Sequence, residues 1–132
     1  MRVLDVVRLS LHILAACVWV GGQLTLAGLL PALRAIGGEA PQQVARQFRR
    51  VAWPAYAVLL VTGLWNAAVW SGESEHAGHG GLLGLKIALV LLSGAAAFAH
   101  ERAGDRIALA VWGALAGLAS LATLVVGVVL RG

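Results

Sequence analysis

Four apolar runs, each about as long as a bilayer is thick, leave this chain few ways to fold. Residues 4–30, 51–70, 82–100 and 107–130 carry few charges, and a span needs about 20 such residues in a helix. Backbone amides in hydrocarbon must bond within their own segment, which favours helices over open strands. The chain is 60% hydrophobic and 12% charged, against about 25% charged in a soluble domain. It reads as an all-α integral membrane protein, a single domain over residues 1–132. Short connections make sequential helices neighbours, giving a four-transmembrane-helix antiparallel up-down-up-down bundle.

Punctuation within the runs refines this picture. The first span ends around Pro31-Ala32-Leu33-Arg34, and Gly37-Gly38 stops any continuation. Val44, Phe48 and Val51 recur at helical spacing after Pro41, so a short basic interfacial helix over about 41–50 leads into the second span. Pro54 is expected to kink that span. Gly113 and Gly117 form a small-xxx-small pair on the last span, the pattern that lets helices approach closely.

The formal charge of +4 reads as membrane topology, not as nucleic-acid binding. Arg34, Arg46, Arg49, Arg50, Arg102 and Arg106 lie in the first and third connections, against Arg2, Arg8 and Arg131 on the other side. By the positive-inside bias those two connections face the cytoplasm of a bacterial inner membrane, with both termini and the 71–81 loop outside. The one cysteine, Cys17, rules out an internal disulfide and a cysteine-cluster metal site. It reads as a small packing residue and not as a lipidation site, since Asp5, Arg8 and His12 interrupt what would be a signal core.

The residue with most chemical content is His12. An imidazole in hydrocarbon needs a partner and marks a functional site by default. Asp5, Arg8, His12, Trp19 and Gln23 project within an arc of roughly 60° on a straight helix, so the first span has a polar face. Asn66 and Lys86 enter the membrane from the same side, roughly 6–7 Å deep by helical rise. His12, Arg8, Trp19, Asn66 and Lys86 therefore form a candidate binding cluster. His76 and His79 in the outer loop add imidazoles, so that His12, His76 and His79 are candidate metal ligands.

Each of these residues also has a plainer role. Lys86 is placed to snorkel to the headgroups. Asn66 and Thr62 are spaced to stitch helices together or to bond their own backbone. Asp5 and Arg8 are spaced as a surface ion pair, and His12 suits a structural hydrogen bond. His100, at the end of the third span, complements the helix dipole. Trp53 and Trp70 sit where interface anchors do, while Trp19 is placed to pack against a bound group.

Two stretches carry a family resemblance. Leu11-His12-Ile13-Leu14-Ala15-Ala16-Cys17-Val18-Trp19-Val20-Gly21-Gly22, closing at Leu30-Pro31-Ala32-Leu33-Arg34, resembles the opening helix of the CopD-like copper-resistance membrane family. Phe48-Arg49-Arg50-Val51-Ala52, Val61-Thr62-Gly63-Leu64-Trp65-Asn66-Ala67 and Leu82-Leu83-Gly84-Leu85-Lys86-Ile87-Ala88-Leu89 are similar to its following segments. The resemblance implies copper uptake or homeostasis, copper ion as the ligand, and a periplasmic copper-binding or redox partner. The same skeleton resembles the HemJ-type protoporphyrinogen oxidases, four-span proteins with a first-helix His and a third-helix Lys. That likeness implies haem b on His12, with Lys86 or Arg8 pairing to a propionate.

Three functions follow from this reading. They are copper handling centred on His12, a b-type haem redox protein, and an accessory subunit whose polar face docks a second copy or a larger membrane complex. The lipid bilayer is the common partner. No triad, carboxylate pair or phosphate loop points to catalysis of the soluble-enzyme kind.

Overall fold

A computed structural model describes residues 2–71 and 78–131 of the chain. Among them there are helices and no strand, in the order α1 (Val3–Ala16), a π-helical turn (Cys17–Gly21), α2 (Gly22–Ile36), α3 (Ala40–Ser71), α4 (Gly80–Arg102) and α5 (Arg106–Arg131). Val3–Ile36 runs as one continuous helical rod. With α3, α4 and α5 it makes four helices long and apolar enough to cross a membrane.

Local chemistry explains where the rods begin and end. The Asp5 carboxylate accepts from the Arg2 amide at 3.3 Å and from Arg8 Nη2 at 3.2 Å, placing an acid in the first turn where the helix dipole favours one. Gly37 and Gly38, at φ 81° and 58°, end α2 in the left-handed region that costs glycine nothing. The basic 41–50 segment is not a separate interfacial helix. It continues through Pro54 to Ser71 as a single rod. Asp105 starts α5, its Oδ1 accepting from the Ala108 amide at 2.8 Å.

The chain divides into two compact units, Met1–Ala68 and Val69–Gly132. In the first, α1 and α2 run antiparallel to α3. Contacts pair Arg8 with Trp65, His12 with Thr62, Trp19 with Tyr56, and Gly22 with Phe48. Its core is aromatic. Trp19 lies 4.4 Å from Tyr56 and 5.4 Å from Trp53 between ring centroids, over buried Ala15, Val20, Ala52 and Leu59. The Phe48 ring fills the space where Gly22 lacks a side chain, its Cζ 2.8 Å from a Cβ built there.

The π turn inserts an extra residue into the first rod and breaks the regular i to i+4 ladder of its backbone carbonyls. Side chains bond two of them. Gln23 Nε2 donates to the Trp19 carbonyl at 2.9 Å and Thr25 Oγ1 to the Gly21 carbonyl at 2.8 Å.

The second unit is a close antiparallel hairpin of α4 and α5. Ser93 hydrogen-bonds Ser120 at 2.8 Å between their hydroxyls. His100 Nδ1 donates to the Leu109 carbonyl at 2.7 Å, its ring lying against Gly113. Lys86 lies against Gly127. Each step of seven along α4, from Lys86 to Ser93 to His100, is matched by a step of seven back along α5, from Gly127 to Ser120 to Gly113. This heptad spacing belongs to the shallow left-handed crossing of coiled coils. Buried Gly94, Ala96, Ala116 and Ala119 keep the backbones close.

The small-xxx-small expectation is half right. Gly113 faces α4, but a Cβ on Gly117 meets nothing within 4 Å. The close face is marked by Gly113, Ser120 and Gly127.

Candidate functional site

The polar face expected on the first rod is real. Arg8 and Trp19 are buried, while Asp5, His12 and Gln23 are half-buried. Its centre is the contact of His12 with α3. His12 Nδ1 lies 2.9 Å from Thr62 Oγ1, and the same hydroxyl donates to the Val58 carbonyl at 2.7 Å, with Leu59 O at 3.3 Å.

A hydroxyl has a single proton, and here it is directed at the carbonyls. Thr62 must therefore accept from His12, which puts the proton on Nδ1. In the neutral ring the lone pair then resides on Nε2. A hydrogen bond that orients one imidazole nitrogen and fixes the tautomer is how proteins present histidine to a metal.

The next residue makes room for the ring. A Cβ on Gly63 would stand 3.4 Å from His12 Cε1 and 3.9 Å from Nδ1. Anything longer than a methyl would push the imidazole off Thr62. One turn further along α3, Asn66 Oδ1 is buried and has no hydrogen-bond partner among the described residues. By the antiparallel register Asn66 falls level with Arg8. A buried amide oxygen left without a donor loses its solvation, at about 1–3 kcal/mol, so this position is built for a donor or a cation.

Electrostatics do not oppose a cation. Arg8 is buried, but it is paired with Asp5 at 3.2 Å and lies 6.0 Å from the Trp65 ring centroid. The pair is neutral overall, with Arg8 buried and Asp5 partly exposed.

The structure thus brings His12, Asn66 and Arg8 to one face. Trp19 belongs to the aromatic core with Trp53 and Tyr56. Trp53 is likewise part of that core. Lys86 belongs to the second unit, against Gly127. So does His79, whose ring is 6.3 Å from that of Trp70. His76 lies outside the described residues. Among the described residues, no three of His, Cys, Asp and Glu gather as a metal cluster. Sequence reasoning undervalued Thr62 and missed Gly63, although a Thr-Gly step in an apolar helix is a readable sign that something polar packs there.

Comparison with protein-family models, curated proteins and solved structures gives no match to this chain.

Proposed function

We propose that this is a four-span protein of a bacterial inner membrane, an up-down-up-down bundle with both termini outside, that handles copper at an intramembrane site centred on His12. One observation carries the reading. Thr62 anchors the His12 imidazole at Nδ1, which fixes its tautomer, and the buried Asn66 Oδ1 lies a turn from that threonine. Imidazole nitrogen suits copper, and an amide oxygen is an acceptable companion ligand. The neutral Asp5–Arg8 pair leaves no net charge to repel the ion. The CopD-like resemblance of the His12 and Thr62 segments points the same way.

A second reading has its own support. A single imidazole on a membrane helix is the protein's share of a haem site, since the porphyrin brings four nitrogens with it. The donor set fits: His12 would be the axial ligand and Arg8 the nearest cation for a propionate. Bound haem supplies one-electron chemistry. The protein's own residues orient the ligand, through Thr62, and exclude water, through the aromatic core beside it.

The test is the metal content and visible spectrum of detergent-purified protein, with His12→Ala beside it. Copper handling predicts stoichiometric copper that falls more than about 100-fold in affinity in the variant, beyond the 10- to 100-fold typical of losing an orienting partner alone. A Soret band lost in His12→Ala supports haem and counts against copper. Metal-free, colourless protein that takes up neither contradicts both readings.

A further inference from the structure

The α4–α5 hairpin has three polar side chains at heptad spacing on α4, and two of them meet a partner on α5. Ser93 has the Ser120 hydroxyl and His100 the Leu109 carbonyl. The third, Lys86, meets a glycine. A Cβ on Gly127 would stand 3.1 Å from Lys86 Nζ and 3.4 Å from its Cε, so the ammonium lies close over the notch that Gly127 leaves in α5.

One turn beyond Gly127 on the same face is Arg131. Among the described residues, neither Lys86 nor Arg131 has a carboxylate within ion-pairing distance. Two cations on one face, the first inside a span, cost free energy unless an anion joins them. The same end of α4 begins at His79, whose ring meets the edge of the Trp70 ring. Tryptophan at the end of a span marks headgroup depth.

We propose that Lys86 and Arg131 form a binding site for the phosphodiester of an anionic phospholipid, seated at the Gly127 notch. The chemistry is complementary. Arginine offers a planar fork that matches two phosphate oxygens, and lysine a compact charge that reaches a third. The phosphate could also arrive as a free ion, but the notch opens within an apolar span, and a headgroup carries its own acyl chains into that setting.

The test is lipid retention by the full-length protein in detergent, read by native mass spectrometry. The probes are phosphatidylglycerol, phosphatidylcholine and inorganic phosphate. Two cations at the membrane surface together favour the anionic lipid about thirtyfold, and losing either lowers that about fivefold. Lys86→Gln and Arg131→Gln are each expected to show that fall. Gly127→Leu fills the notch without changing charge and is expected to lower the preference as well.

Circular dichroism establishes that each variant is helical, and Arg131, at the last turn of α5, can change with little risk to the fold. Equal retention of both lipids by the unaltered protein overturns the site. So does a preference that survives Gly127→Leu, since general electrostatics then explains it. Displacement of phosphatidylglycerol by an equal concentration of inorganic phosphate overturns the assignment to a lipid.

Discussion

Replacing Gly113 with alanine should destabilise the α4–α5 hairpin far more than the same change at Gly117, four residues away on the same helix. A Cβ at Gly113 would lie 3.0 Å from His100 Nδ1 and 3.1 Å from its Cε1, so the ring must give by a few tenths of an ångström. His100 has little freedom to do so, because Nδ1 is bound to the Leu109 carbonyl at 2.7 Å. The shift strains that hydrogen bond or the helix contact. Loss of a side-chain hydrogen bond in a membrane helix pair costs about 0.6–1.7 kcal/mol, and forcing an extra carbon into a packed interface about 1–3 kcal/mol. Set against the ~1 kcal/mol that alanine gains as a helix former, Gly113→Ala should cost about 1–4 kcal/mol.

At Gly117 a Cβ meets nothing within 4 Å. Alanine is the better helix former by about 1 kcal/mol, so Gly117→Ala should be neutral or mildly stabilising. The assay is reversible unfolding of detergent-solubilised protein in sodium dodecyl sulfate, followed by circular dichroism. In a His100→Ala background the clash is gone, and Gly113→Ala should then cost little, a coupling that a double-mutant cycle reads directly. Equal effects at the two glycines would refute this reasoning, as would a Gly113→Ala cost that persists without His100.

Two further outcomes are expected. Ser93→Ala or Ser120→Ala alone should each cost about 1 kcal/mol by removing the 2.8 Å hydrogen bond between them, while the double variant should cost less than the sum; the same unfolding assay measures all three. Thr62→Val should lower copper affinity about 10- to 100-fold by releasing His12 Nδ1, and Thr62→Ser, which keeps the hydroxyl, should restore most of it; a competition titration against a chromophoric chelator separates the two.

The four rods were readable because length and apolarity alone decide them, and the capping signals at Gly37-Gly38 and Asp105 needed only local chemistry. His12 was readable for a related reason, since an imidazole in an apolar run has few explanations. The π turn was not, because a helical-wheel argument assumes one period throughout and an inserted residue changes it. Trp19 does face α3 as Arg8 and His12 do, but the aromatic rings it meets there, Trp53 and Tyr56, come from another rod.

The pairing of His12 with Thr62 and Gly63 depends on the register between two rods, which no single helix encodes. The same limit misassigned one glycine of the Gly113/Gly117 pair. A four-residue spacing suggested a crossing face, while the hairpin follows the seven-residue spacing of Lys86, Ser93 and His100. That spacing stands in the sequence, but polar residues spread over about four turns read as isolated until the opposite helix shows their partners.

The central claim is that His12 offers Nε2 to a metal while Thr62 holds Nδ1. The most direct measurement is pulsed electron paramagnetic resonance of the copper(II)-loaded protein, which detects the remote nitrogen of a coordinated imidazole. The account predicts a remote-nitrogen signal that vanishes in His12→Ala and changes its coupling in Thr62→Val, where the hydrogen bond to that nitrogen is lost. An unchanged imidazole signal in His12→Ala, or copper(II) bound with no imidazole signal in the unaltered protein, would contradict it.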